Sequence, residues 1–209
     1  MNTKEKILLE ALTLFSTKGY DSVSVRDISR AVGIKESSLY NHFTNKQAIF
    51  DEILQVYASR GEDFFNQMKI TDESKSFAVD ERTLEMYRKM SHEAFEAMSA
   101  PIFDFYFVDE INVKIRRMLT IEQYRDPAIS KLYREVSFDS ALAFQAQLFE
   151  ALMSAGLFIP CDPYAMALAF FAPIFLLFHK FNNDDQSLAE ARALFLRHIR
   201  NFNTVYGVN

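Results

Sequence analysis

Apolar residues recur along most of this chain at helical spacing, with short breaks between runs. Ile7, Leu8, Ala11, Leu14 and Phe15 mark one face of a helix over 3–18, closed by Lys18-Gly19. Val25, Ile28, Ala31 and Val32 share the face of a second helix, which Gly33 ends. Ile34 then plugs the gap before a third, from Glu36 to Phe43, with Leu39 and Phe43 turned inward. Thr44 with Gln47 has the capping-box pattern and starts a fourth, running to about Phe65 with Ile49, Phe50, Ile53, Leu54 and Tyr57 on its inner face. A polar loop over 66–78 follows. Helical pattern returns from Val79 to Met98, and Pro101 opens a Phe-rich segment leading into Ile111–Leu119. Asp126-Pro127 is a turn. Ala128 to Ala155 is a long helix ended by Gly156, and Asp162-Pro163 caps another that runs to about Phe181. Asn182 to Gln186 is a loop, and a last helix carries Leu188, Ala191, Phe195, Ile199, Phe202 and Tyr206 inward. The expectation is an all-α chain of about nine or ten helices, with a three-helix head over 1–46 and a helical bundle over 47–209.

The stretch Ser24–Lys46 organises the rest. Ser24 can cap the second helix, and Asp27 three residues on completes a capping box. A third helix as short as Glu36–Phe43 cannot hold itself in water, so it needs support from its neighbours. Its outer side is polar: Lys35, Glu36, Ser37, Ser38, Tyr40, Asn41 and His42. Two short helices around a tight turn, the second with a hydrogen-bonding outer face, form the layout of a helix-turn-helix.

Composition narrows the class. The single Cys161 can form no internal disulfide, which fits a reducing, cytoplasmic setting. The N-terminus lacks the apolar core of a signal peptide. The apolar run Tyr164–Phe178 is short for a membrane span and is expected to be a buried helix or an interface. The net charge of −5 is uneven: residues 1–50 hold seven basic and five acidic side chains, giving +2 there and −7 beyond. A basic head on an acidic body directs any nucleic-acid contact to the head. So small an excess demands dimerisation and well-placed phosphate contacts rather than bulk charge.

Side chains at the start and outer face of such a helix read base edges in the major groove. Lys35 suits guanine and Asn41 adenine, with Ser37 and Ser38 beside them. Glu36 either accepts from cytosine or stabilises the helix N-terminus. Tyr40, His42 and Lys46 suit phosphate, as does Ser24 at a helix N-terminus; the alternative is a plain surface histidine at 42 and a solvated charge at 46. Phe15 and Tyr20 belong to the core. The Phe15–Tyr20 segment (Phe-Ser-x-Lys-Gly-Tyr) and the Leu39–Lys46 segment (Leu-Tyr-x-His-Phe-x-x-Lys), in this order and separation, resemble the DNA-binding domain of the TetR/AcrR family of bacterial regulators. The likeness runs from Lys4 to Leu54, roughly a quarter of the chain. It implies that Tyr40, His42 and Lys46 hold the DNA backbone, that the body encloses a small-molecule pocket, and that the last long helices form a homodimer.

The body offers no Gly-rich phosphate loop, no His-Glu-x-x-His and no Cys pair, so no catalytic residues, metal or cofactor are expected. His92, His179 and His198 are isolated, and Cys161 lacks an adjacent base or cation. The anomaly is twenty-one phenylalanines. Phe103, Phe105, Tyr106 and Phe107 cover more than one helix face, as core or as cavity lining. If the implied pocket is present, its liners are Met86, Met90, Phe103, Tyr106, Phe107, Tyr124, Phe138 and Phe171, and its ligand is apolar or aromatic. Ala141, Ala143, Phe144, Leu148 and Leu152, with Ala165, Ala169, Phe170, Pro173 and Phe175, provide two helix faces for a four-helix interface between copies. The combined expectation is a homodimeric, ligand-responsive repressor on a palindromic operator, with the helix from Gln47 to Phe65 as lever. Two rivals stand beside it: an architectural DNA-binding protein without a ligand, and a helical small-molecule binder or enzyme whose head no longer binds DNA.

Overall fold

In the computed structural model, residues 1–67, 81–181 and 185–208 are described, and among them the chain forms eleven α-helices. These are α1 Thr3–Lys18, α2 Val25–Val32, α3 Glu36–Tyr40, α4 Lys46–Gln67, α5 Glu81–Lys89, α6 His92–Phe103, α7 Glu110–Glu122, α8 Pro127–Arg134, α9 Ser140–Ser154, α10 Pro163–Lys180 and α11 Asp185–Tyr206. The expected loops over 66–78 and 182–186 fall largely outside the described residues. One antiparallel bridge, Phe158 with Gly207, is the sole β pairing among those described.

The chain divides into two units, and the division does not follow chain order. The first contains 1–64 together with 110–134; the second contains 65–109 and 135–209. In the first, α7 packs along α1, and α2 lies against α1 and α3. Its core includes Ile7, Ala11, Phe15, Ile28, Leu39, Ile49, Phe50, Ile53, Ile115, Met118 and Leu119. Two polar pins also fasten α7: Lys114 Nζ donates to Thr13 Oγ1 at 2.9 Å, and the buried Glu122 accepts from the Tyr20 N–H at 2.8 Å.

The second unit has two apolar clusters. One gathers Leu142, Leu148, Phe149, Leu152, Phe158, Met166, Ala167 and Phe202. The other gathers Phe103, Phe107, Ile174, Leu177, Ala191, Phe195 and Ile199. α10 contributes to both through Met166, Ala167, Ile174 and Leu177. Its 18 residues are long and apolar enough to cross a membrane by length and composition, beyond the fifteen-residue run expected.

Several boundaries depart from sequence expectation. The helix expected over 79–98 is two, because Ser91 caps α6 through the Ala94 N–H at 3.2 Å. The helix expected over 128–155 is interrupted by a π turn, Glu135–Asp139, and a second π turn, Asp104–Val108, extends α6. In the latter the Asp109 N–H reaches the Asp104 carbonyl at 2.9 Å, the five-residue step of a π turn. Asn45, just before α4, caps it by accepting from the Ala48 N–H at 2.8 Å, and Thr44 is not its cap. Gln47 is drawn away to Tyr20 and Asp51.

Candidate nucleic-acid interface

Local chemistry builds the helix-turn-helix. The Ser24 Oγ accepts from the Asp27 N–H at 3.1 Å, and the Asp27 carboxylate takes the Ser24 N–H at 2.9 Å, so the capping box forms. The Ser24 hydroxyl also donates to that carboxylate at 2.5 Å. Gly33 adopts φ 78°, ψ 31°, a left-handed conformation that glycine takes without strain. From there Ile34 N–H returns to the Ser29 carbonyl at 3.0 Å, closing α2 and turning the chain into α3. Ala31, expected on the inner face of α2, is exposed; Ile28 alone among the four apolar positions is fully buried.

α3 is shorter than expected, five residues, though its path continues: the His42 and Phe43 N–H groups both return to the Leu39 carbonyl, at 2.9 and 3.1 Å. Leu39 is buried completely and Phe43 nearly so. Turned outward and exposed are Lys35, Glu36, Ser37, Tyr40, Asn41 and His42, with Ser38 half-buried. All seven candidates on this segment are therefore at least partly accessible. Sequence reasoning passed over Arg26 and Arg30, whose side chains on α2 are 73% and 71% exposed. Their spacing of four on the polar side of α2 is the signal that could have found them. Arg26 Nε stands 4.0 Å from Glu36, which aligns Glu36 with an ion pair and the positive end of α3.

Lys46 is placed differently from its neighbours. Its Nζ donates to the Tyr20 carbonyl at 2.8 Å and the Val23 carbonyl at 2.9 Å, and lies 3.9 Å from the centre of the Tyr20 ring. Tyr20 in turn packs on Phe15 and Phe50, with ring centroids 5.3 and 5.1 Å away, and its hydroxyl donates to Gln47 Oε1 at 2.9 Å. Burial, and after it the carboxylates of Asp51, Asp21 and Glu122, push the Tyr20 phenol up, so it remains a neutral donor.

The effector candidates do not form one group. Phe103 and Phe107 are stacked face to face at 4.4 Å and are consumed by core packing with Phe195. Tyr106 is half-buried against Phe178 at 5.9 Å. Phe138 and Phe171 both pack on Phe175, at 4.7 and 6.5 Å. Met90 is half-buried after α5, Met86 is exposed, and Tyr124, 85% exposed, belongs to the first unit rather than the second.

Known proteins share this arrangement. The family model for bacterial regulatory proteins of the tetR family matches residues 7–53. IcaR, the negative transcriptional regulator of the biofilm operon icaADBC in Staphylococcus epidermidis, is 33% identical over 153 residues, covering 68% of this chain and 79% of that one. A solved TetR-family regulator from Mesorhizobium loti superposes with a TM-score of 0.63 at 23% identity, over 99% of this chain and 97% of that one. A regulator from Saccharomonospora viridis, solved in complex with choline, gives 0.64 at 17% identity over 99% and 98%. These are DNA-binding regulators and not enzymes, and this chain belongs to the TetR family of bacterial transcriptional regulators.

Proposed function

We propose that the chain is a homodimeric, cytoplasmic repressor that binds a palindromic operator and is released by a small apolar or aromatic effector. The observation that carries the DNA reading is the polar surface of α3 and its flanking residues: Lys35, Glu36, Ser37, Tyr40, Asn41 and His42 exposed and Ser38 half-buried, around the buried Leu39 and Phe43. Lys35, Ser37, Ser38 and Asn41 meet base edges, and Tyr40 and His42 meet phosphate, whereas both donors of Ser24 are taken by Asp27. Arg26 and Arg30 add to the phosphate contacts from α2, the helix that crosses the backbone in this motif. The repressor sense is supported by the negative regulator IcaR. The effector sense is supported by aromatic side chains left half-buried at the margin of the second unit's clusters, Tyr106, Phe138 and Phe171. A ligand preferring one of two arrangements of the dimer shifts operator affinity by its differential binding.

The test is selection of bound duplexes from a random DNA pool, with Tyr40→Ala/Asn41→Ala as control. One palindrome is enriched by the natural protein and lost in the control. No enrichment from a folded dimer, or equal enrichment by the control, overturns the reading of α3.

A further inference from the structure

We infer that Lys46 is a positioning residue: its ammonium clamps the α1–α2 loop and so holds the helix-turn-helix in register, rather than meeting DNA phosphate. The inference rests on the reading that this head binds DNA, and assigns one residue a role different from the one its family resemblance implies.

An ammonium has three N–H groups. Here two carbonyls take it at 2.8 and 2.9 Å, and the Tyr20 ring covers a further side at 3.9 Å. A phosphate would have to compete with these internal partners. The arrangement also answers a local electrostatic problem. Lys46 is the first residue of α4, where the helix dipole disfavours a cation, and the two carbonyl oxygens supply the compensating negative potential.

The residues it grips occupy a decisive place. Val23 lies immediately before Ser24, the cap of α2, and Tyr20 three residues earlier, and Val23 is itself buried. Tyr20 is held on its other side as well: its N–H goes to the Glu122 carboxylate at 2.8 Å while its carbonyl goes to Lys46. One peptide segment is thus gripped by an acid from α7 and a base from α4. Gly19 beside it favours glycine, since its φ of 78° strains any other residue and a Cβ would sit tightly, 3.0 Å from Arg125 Nη1 and 3.2 Å from Glu122 Oε1. Loosening Lys46 frees the loop, then the Ser24 cap, then the angle at which α2 and α3 are presented.

The experiment uses the full chain, the enriched duplex, and the variants Lys46→Met and Lys46→Arg. Operator affinity is measured well below the melting temperature against salt, and amide hydrogen exchange without DNA. Lost phosphate contact and lost positioning differ in the salt slope, because each phosphate contact contributes about 0.9 to it. The expected result is roughly tenfold weaker operator binding by Lys46→Met with the salt slope unchanged, and faster exchange at the Tyr20 and Val23 amides. Lys46→Arg keeps the charge but brings a flat, wider head, and is expected not to rescue. Normal binding by Lys46→Arg, with a slope shallower by about 0.9 in Lys46→Met and unchanged exchange, overturns the proposal in favour of a phosphate contact. Faster exchange with undiminished operator affinity overturns it in favour of a purely structural lysine. If the natural protein binds no duplex, the DNA reading fails, and exchange decides the clamp alone: unchanged rates in both variants refute it, and faster rates retain it. Lys46→Arg carries the measurement if Lys46→Met does not fold.

Discussion

Asp27 illustrates how much one short-range pattern determines. Its carboxylate accepts from the Ser24 hydroxyl and the Ser24 N–H, and these two bonds, the hydroxyl first, hold its pKa below the usual aspartate range. A depressed folded pKa contributes stability that is complete above the unfolded value, near 3.9, and is lost as pH falls through the lower folded value. Thermal melts of the natural protein should therefore decline below about pH 4, and part of that decline should vanish in Asp27→Asn. An identical acid slope in the variant would mean that the carboxylate's bonds contribute nothing to stability. Ser24, Asp27 and Gly33 were legible because each acts within three or four residues along the chain. Lys46 was not: its partners lie 23 and 26 residues away, and Glu122 meets Tyr20 across 102. No periodicity in the chain records such pairings, and an exposed-looking lysine beside a helix start reads the same whether it faces solvent, phosphate or a carbonyl.

At the scale of elements, α3 is the least self-sufficient piece of the molecule. Five residues cannot make a stable helix alone, so its geometry depends on Leu39, which is fully buried. Leu39→Ala should cost about 2–5 kcal/mol, read as a lower denaturation midpoint, and should weaken operator binding more than the loss of a single outward contact. A loss below about 1 kcal/mol would show that the neighbouring helices hold α3 without this anchor. The periodicity that gave α1, α2 and the caps at Ser24 and Asp162 is strong and local. What it could not give were the π turns at 104–108 and 135–139, because residue types that suit an α-helix suit one inserted residue equally well. The Phe-rich segment shows the consequence. The π turn lets Phe103 and Phe107 stack inside the core while Tyr106 stays at its margin, a sorting that consecutive aromatics do not announce.

For the whole molecule, the decisive surface is α10. One side of it enters both apolar clusters of the second unit. On another, Ala165, Leu168, Ala169, Ala172 and Leu176 are exposed at spacings of three, four and seven, with Leu176 61% accessible. In the proposed homodimer, a stripe of this kind on a helix already packed on its other side would be matched by a second copy, where small residues let backbones approach and leucines fill the gaps. Dimerisation also answers the weakly basic head, because two linked heads convert the second binding event into an intramolecular one. Leu168→Glu/Leu176→Glu places two carboxylates on the stripe without touching either cluster. Sedimentation should then give a monomer with unchanged helix content, and palindromic operator affinity should fall by about a hundredfold or more. Affinity for a single half-site, already weak, should stay where it is. A dimer that survives both substitutions would move the interface to the outer side of α9 or α11. A monomer that still binds the palindrome at full strength would remove twofold symmetry from the mechanism altogether.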